Sequence, residues 1–324
     1  MQIQRLIKGT AYFIATCLIG VIGFYYWASS AKYPEEDYSK LIVNNYTQQL
    51  DKDSIYSIIT YNIGYLSGMT NNLPVAKTKD LFDANLIRVY REFEKIDADL
   101  ICFQEIDYGS KRSYYVNQQN ELQQLGYNYI FQAVNWDINY LPFPYFPPSA
   151  HHGRVFSGQS IFSKHLLIDN ERIVLDRVED SPFYREAFYL ERLAQVSKTI
   201  LEGKTIVVIN VHLEAFDQPT RINHAKQIIK LYNRYQDKYP VLLVGDFNSD
   251  KEFDNAVIKS IFSLPGIKSA VPSREKTYPS SMPNARLDYI FYNEAFIELS
   301  SAGIITSAGE SSDHLPIMME FRLK

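Results

Sequence analysis

The run Val241-Leu242-Leu243-Val244 leads straight into Gly245-Asp246-Phe247-Asn248. A carboxylate and a carboxamide two residues apart share one face of an extended chain, so both can turn toward one ligand. At the mouth of a buried strand that pair suits a hydrated divalent cation or an attacking water. On its own the stretch also reads as a turn with an Asx cap. The same pattern recurs at five other places. Ile58-Ile59-Thr60-Tyr61-Asn62 ends in a carboxamide, Leu100-Ile101-Cys102-Phe103-Gln104-Glu105 in a carboxylate, and Ile206-Val207-Val208-Ile209-Asn210-Val211-His212 in an imidazole. Asp288 opens the run Asp288-Tyr289-Ile290-Phe291, and Asp313-His314 precede Leu315-Pro316-Ile317. Near-continuous apolar runs mark buried strands, so these polar residues stand at the ends of core strands. Six such ends exceed what turn chemistry requires. They read as the rim of an active site.

Taken in order, Asn62, Gln104-Glu105, Asn210 to Leu213, Gly245 to Asn248, Leu287 to Ile290 and Ser312 to His314 resemble the motifs of the endonuclease/exonuclease/phosphatase superfamily. The resemblance covers residues 53–324 and implies an α/β four-layer sandwich, two mixed β-sheets face to face with helices outside. The pattern of the chain agrees, since strands alternate with helical stretches over residues 79–95, 219–235 and 253–262. The resemblance further implies a phosphoester hydrolase with Mg²⁺ as cofactor and Mn²⁺ as the alternative. In it Glu105 is the cation ligand, Asn62 assists cation or phosphate binding, and Asp313 lies near the cation. Asp246 orients or deprotonates the attacking water, and Asn248 holds a phosphate oxygen or the water. His314 contacts the phosphate with its imidazole held by Asp288, an arrangement that fixes the tautomer and supports an imidazolium facing a developing anion. His212 is a second phosphate-facing histidine, and Asn210 supports substrate binding from the same strand face.

Other polar residues carry less. Arg154, in Gly153-Arg154-Val155-Phe156, and Gln159 are candidates for touching a phosphate, against the plainer readings of a turn cation and an edge amide. Arg192 reads as a residue that could point into the cleft, outside the catalytic set. His224 reads as a solvated position of an amphipathic helix, and His165 as unremarkable. Residues 136–148 hold four prolines and five aromatics, with Trp136 first. That composition excludes a helix or a central strand and reads as either a self-packed loop or a hydrophobic lip beside the cleft.

The elements around this rim are bounded by composition. The 324 residues carry a net charge of −4 and 46% hydrophobic side chains, enough for a sizeable core. The acidic balance argues mildly against binding along a nucleic-acid backbone, and Lys111-Arg112 is the only close run of positive charge near a motif. Cys17 and Cys102 are too differently placed to pair, and Cys102 reads as a small buried hydrophobe. Arg5 and Lys8 precede 23 uncharged residues, 9–31, long enough for a hydrocarbon core of about 30 Å. Tyr25, Tyr26 and Trp27 stand at the outer end as an interfacial belt, and Glu35, Glu36 and Asp37 follow. The expectation is an anchor over residues 1–31 with the catalytic domain outside; a cleaved signal peptide ending at Ser29-Ser30-Ala31 is the alternative. Residues 32–52 are expected to be a tether, and 53–324 the catalytic domain.

Three functions follow. The first is a membrane-anchored phosphodiesterase acting on a lipid headgroup, touching the bilayer through the N-terminal segment and the 136–148 segment. The second is an exported nuclease, with a phosphomonoesterase as a variant of the same chemistry. The third is a binding module that kept the fold without turnover.

Overall fold

The computed structural model describes residues 2–47, 54–254 and 256–324. It contains the sandwich. The first sheet runs, in spatial order, β1 (Ser39–Val43), β4 (Tyr129–Leu141), β5 (Gly153–Ser163), β3 (Leu100–Asp107), β2 (Tyr56–Asn62), β13 (Ile317–Leu323) and β12 (Ile297–Ile304). The second runs β10 (Ile267–Ser269), β11 (Asp288–Asn293), β9 (Val241–Asp246), β8 (Lys204–His212), β7 (Leu193–Leu201) and β6 (Leu167–Val174). Each sheet has one parallel pair, β2 with β3 and β8 with β9, amid antiparallel neighbours. A parallel pair needs a crossover. Helix α2 (Lys79–Ile96) supplies the first and α5 (Gln218–Asn233) the second.

Strand alternation sorts the side chains into layers. Even-numbered residues of β2, β3, β8, β9 and β11 (Ile58, Leu100, Cys102, Ile206, Val208, Leu242, Val244, Ile290) fill the core between the sheets. Odd-numbered ones face the helices. Ile59, Ile101 and Phe103 meet Phe82, Val89 and Phe93 of α2. Val207, Ile209, Val211 and Leu243 meet Ile228, Leu231 and Tyr232 of α5. Thr78 caps α2 and the Asp217 carboxylate caps α5, accepting from Thr220 N at 2.8 Å.

The minor helices are α3 (Gln118–Gln123), α4 (Phe183–Glu186) and α6 (Ile258–Phe262). The third expected helix, 253–262, shrinks to α6. The Asp250 side chain takes the amides of Glu252 and Arg286, which fixes a turn where the helix would have begun. The 136–148 segment also differs from expectation. Trp136 to Leu141 belong to β4, with Trp136 opposite Ser157 and Leu141 opposite Gly153. All four prolines fall after Leu141, so strand pairing persists until they forbid it.

Helix α1 (Gln2–Ser29) stands exposed and is long and apolar enough to be a membrane span or a signal sequence. It joins the domain firmly at its C-terminal end. Phe24 and Trp27 meet the ring of Tyr140 at centroid distances of 5.8 and 6.4 Å, and Tyr25 meets Phe183 and Phe188 at 5.9 Å. The buried carboxylate of Asp137 then accepts from the amides of Lys32 and Tyr33 and from the Tyr38 hydroxyl. The stretch expected as a tether therefore carries a strand, β1, paired with β4 from Ser39–Ala133 to Val43–Tyr129. Its last residues, 48–52, and the domain start at Asp53 lie outside the described residues.

Candidate active site

The carboxyl ends of all four parallel strands open at one pole, where the core between the sheets gives way to a cleft of about 460 Å³. Registers align the chemistry there: Asn62 opposite Gln104, His212 opposite Asp246, and Asp246 opposite Asp288. Because Asn62, His212 and Asp246 occupy inward positions of their strands, they continue the inter-sheet core as its polar end. Asn62, Glu105, His212, Asp246, Asn248, Asp313 and His314 all line this cleft.

Asp246 is central and almost fully buried. Asn62 Nδ2 donates to its Oδ2 at 2.9 Å and the Asn248 amide to its Oδ1 at 2.8 Å. His212 Nε2 lies 3.6 Å and His314 Nε2 3.8 Å from the same Oδ2. Gly245 makes the approach feasible. Its φ of +132° disfavours an L side chain, and a Cβ there would stand 2.0 Å from the Val211 carbonyl oxygen. Burial, with Asp288 adding to it against the pull of His314, pushes the Asp246 carboxyl up to about 7. A carboxylate so poised can exchange a proton near neutral pH.

His314 is held from behind. Its Nδ1 lies 2.9 Å from Asp288 Oδ2, which also accepts from the Thr277 hydroxyl at 2.6 Å. Burial works against the imidazolium, but Asp288 and Asp246 outweigh it and raise the pKa well above the usual histidine value. His212 is the opposite case. Burial, the Arg192 guanidinium and His314 hold it well below the ordinary value, so it is neutral. Arg192 Nη1 donates to its Nε2 at 2.7 Å. The site thus pairs a charged donor histidine with a neutral one.

Glu105 reaches the cleft against the alternation of its strand, which would turn it outward with Ile101 and Phe103. A bulge between Phe103 and Ile106, with Glu105 at φ +51°, re-aims it. A non-glycine residue in the left-handed region is strained, and such strain clusters at functional sites. Glu105 Oε1 lies 3.6 Å from His212 Nε2. Burial, then Asp313, raises its pKa. Asn71 Nδ2 donates to Glu105 at 3.0 Å and to Asp313 at 3.3 Å, and Asn72 donates to Asp313 at 3.2 Å. Two amide donors thus sit where carboxylates converge, and the oxygen donors of Glu105, Asp313 and Asn62 suit a hard divalent cation. Ligand-type atoms of Asp246, Asp288 and His314 also lie within 4.8 Å of one another. That group fits a cation less well, because Asp288 is engaged by His314 and Thr277 and a protonated imidazole cannot ligate.

Two sequence-based candidates fall elsewhere. Asn210 is fully buried beneath the cleft floor, bonded to Gln104, Gln195 and the Phe103 carbonyl, and cannot touch a substrate. Arg154 points away, paired with Asp137 and donating to the Ile138 carbonyl oxygen. His224, expected in solvent, is buried and bridges Asp176 O and the Glu214 amide. Conversely, Arg192, Asn71, Asn72 and Tyr278 line the cleft. Arg192 had a signal: it immediately precedes β7, whose Leu193 pairs with His212. The Asn71-Asn72 loop had none.

The endonuclease/exonuclease/phosphatase family model matches residues 59–314, most of the chain, and the chain belongs to that family. Members of this family hydrolyse phosphoesters. Among relatives, YbhP of Escherichia coli strain K12 is 25% identical over 229 residues, 70% of this chain and 85% of that protein. A UPF0294 protein of Vibrio cholerae is 30% identical over 125 residues, and the match spans 38% of this chain and only 42% of that relative. The human Nocturnin catalytic domain with bound sulfate superposes with a TM-score of 0.59 at 19% identity, covering 90% of this chain and all of that one, a likeness of fold.

Proposed function

We propose that this chain is a membrane-anchored, divalent-cation-dependent phosphodiesterase that hydrolyses a lipid headgroup ester by in-line attack of water. The observation that carries it is the focus of Asn62, Asn248, His212 and His314 on the Asp246 carboxylate, with Glu105 Oε1 3.6 Å from the same His212 Nε2. Asp246 orients the water and takes its proton. The charged His314 donates to the phosphoryl oxygens as negative charge develops, with Asp288 holding its ring. Neutral His212, fixed by Arg192, supplies a second contact. Glu105, Asn62 and Asp313 would hold Mg²⁺, with Mn²⁺ as the alternative; such an ion neutralises the phosphoryl oxygens and the leaving oxygen.

The membrane part rests on apolar surface. Phe143 enters the cleft wall, and Tyr145 and Phe146 beside it are 71% and 79% exposed. Helix α1 docks at Tyr140, three residues upstream, and at Phe183, itself 74% exposed. An exposed aromatic ledge between a membrane-length helix and a cleft mouth suits an interface where substrates lie in a bilayer. The test is turnover by the full chain in detergent or nanodiscs, with Mg²⁺ and with chelator, on phospholipid or sphingomyelin vesicles against plasmid DNA. Chelator-sensitive lipid turnover is expected. Rapid plasmid nicking without lipid turnover would move the reading to a nuclease.

A further inference from the structure

Beside the catalytic cleft lies a second cavity of about 280 Å³, sharing Arg112 and His152 with it as a common wall. Its lining is cationic: Lys77, Lys111 and Arg112 face it beside the imidazoles of His151 and His152, and among the described residues no carboxylate lines it. This is unusual for a chain of net charge −4. Arg112 alone has its charge matched, by a bidentate pair with the buried Asp107 on its far side, while its guanidinium stacks 3.3 Å from the Tyr65 ring centroid. Among the described residues, neither Lys77 nor Lys111 has a carboxylate partner.

The pocket is built rather than incidental. The Tyr114 hydroxyl clamps the Lys77 peptide at 2.7 Å. Gly153, at φ +64°, leaves a slot for the Lys111 stem, where a Cβ would stand 2.4 Å from its Cδ. His152 brings a buried Nδ1 that has no partner. A buried polar atom without a partner and a half-buried Lys77 ammonium without a counter-ion are each unfavourable, and a bound anion would relieve both, with the more exposed Lys111 adding a second positive charge. The Lys77 ammonium already reflects this: burial, then Arg112, pulls its pKa down to about 8.

We propose that this pocket is a second-anion subsite, receiving a further phosphoryl group carried by the same headgroup whose ester is cleaved next door. The inference rests on the phosphodiesterase reading and narrows it, to diesters that also bear a phosphomonoester. The shared wall means the two phosphoryl groups are close neighbours in the substrate.

The test compares the p-nitrophenyl ester of thymidine 5′-phosphate with the same ester bearing a 3′-phosphate, both cleaved to p-nitrophenol. The full chain should favour the doubly phosphorylated ester by about tenfold or more in kcat/KM. Lys77→Ala and Lys111→Ala should each erase most of that preference while leaving the plain ester unchanged, and Lys77→Arg should restore it. Equal kcat/KM for the two esters, indifferent to both substitutions, would overturn the subsite. A lysine-dependent effect of added inorganic phosphate on the plain ester, without preference for the 3′-phosphorylated one, would overturn its assignment to the substrate and make it a free-anion site. If neither ester is cleaved, calorimetric binding of pyrophosphate to chelator-treated protein separates the two ideas. Binding lost in Lys77→Ala would keep the subsite and sink the catalytic reading; no binding by the intact chain would sink the subsite.

Discussion

Asn210→Ala separates a ligand from a scaffold. Asn210 Oδ1 accepts from Gln104 Nε2 at 2.6 Å, and its Nδ2 donates to Gln195 Oε1 at 2.9 Å and Phe103 O at 3.2 Å. This amide bridge ties β3 of one sheet to β7 and β8 of the other, below the cleft. Truncation leaves Gln104 Nε2 with Thr60 and Cys102 O as acceptors, but takes from Gln195 Oε1 the donor that Asn210 supplies. An orphaned buried acceptor costs about 1–3 kcal/mol, and each lost bond about 1 kcal/mol. A total of about 3 kcal/mol corresponds to a fall in Tm of roughly 6–12 °C for a domain of this size. Because Asn210 touches no substrate, KM should stay within about twofold, and kcat should fall by less than about tenfold through slight motion of Glu105 and His212. Thermal denaturation followed by circular dichroism, beside steady-state release of p-nitrophenol from bis-p-nitrophenyl phosphate, reads both quantities. A wild-type Tm with KM raised about tenfold would refute the reasoning and return Asn210 to the binding surface.

Three more outcomes follow from the geometry. Arg192→Met removes one of the charges that depress His212, so the His212 ring should titrate at higher pH when followed by NMR; an unmoved ring titration would show that Arg192 does not keep His212 neutral. Asp246 and Glu105 both have folded pKa values above their unfolded ones, so the stability they contribute is full below the unfolded value and lost as pH rises, through about 7 for Asp246. Millimolar Mg²⁺, competing with the Glu105 proton, should therefore raise Tm more at pH 8 than at pH 5.5, by roughly 5–10 °C at a hundredfold excess over Kd; a shift independent of pH would place the cation elsewhere. Tyr145→Ser with Phe146→Ser should lower vesicle turnover about tenfold and leave bis-p-nitrophenyl phosphate hydrolysis unaltered; equal turnover on vesicles would remove the ledge from the membrane reading.

Much of the site was legible because β-strands have a strict period of two. Asn62, His212, Asp246 and Asp288 are all in phase with the inter-sheet core positions of their strands, so apolar runs with polar ends already specified a common pocket. The same parity explains the misreading of Asn210, which is in phase but two residues deeper than His212, inside the core. Glu105 is out of phase, and only a bulge, which the sequence does not announce, brings it in. Asn71 and Asn72 lie in a loop without periodicity. Arg154 was drawn away by Asp137, a carboxylate within an aromatic stretch on the neighbouring strand. His224 shares a helix face with Ile228 and Leu231, at i+4 and i+7, and that spacing buries it.

The most direct measurement is single-turnover hydrolysis of a phosphodiester by Glu105→Gln, Asp246→Asn and His314→Ala beside the unaltered chain, with Mg²⁺ present and melting temperatures recorded. Each substitution should slow the chemical step by about 10²–10⁴-fold while leaving folding intact. Hydrolysis at the unaltered rate in any of the three would contradict a catalytic centre at this pole.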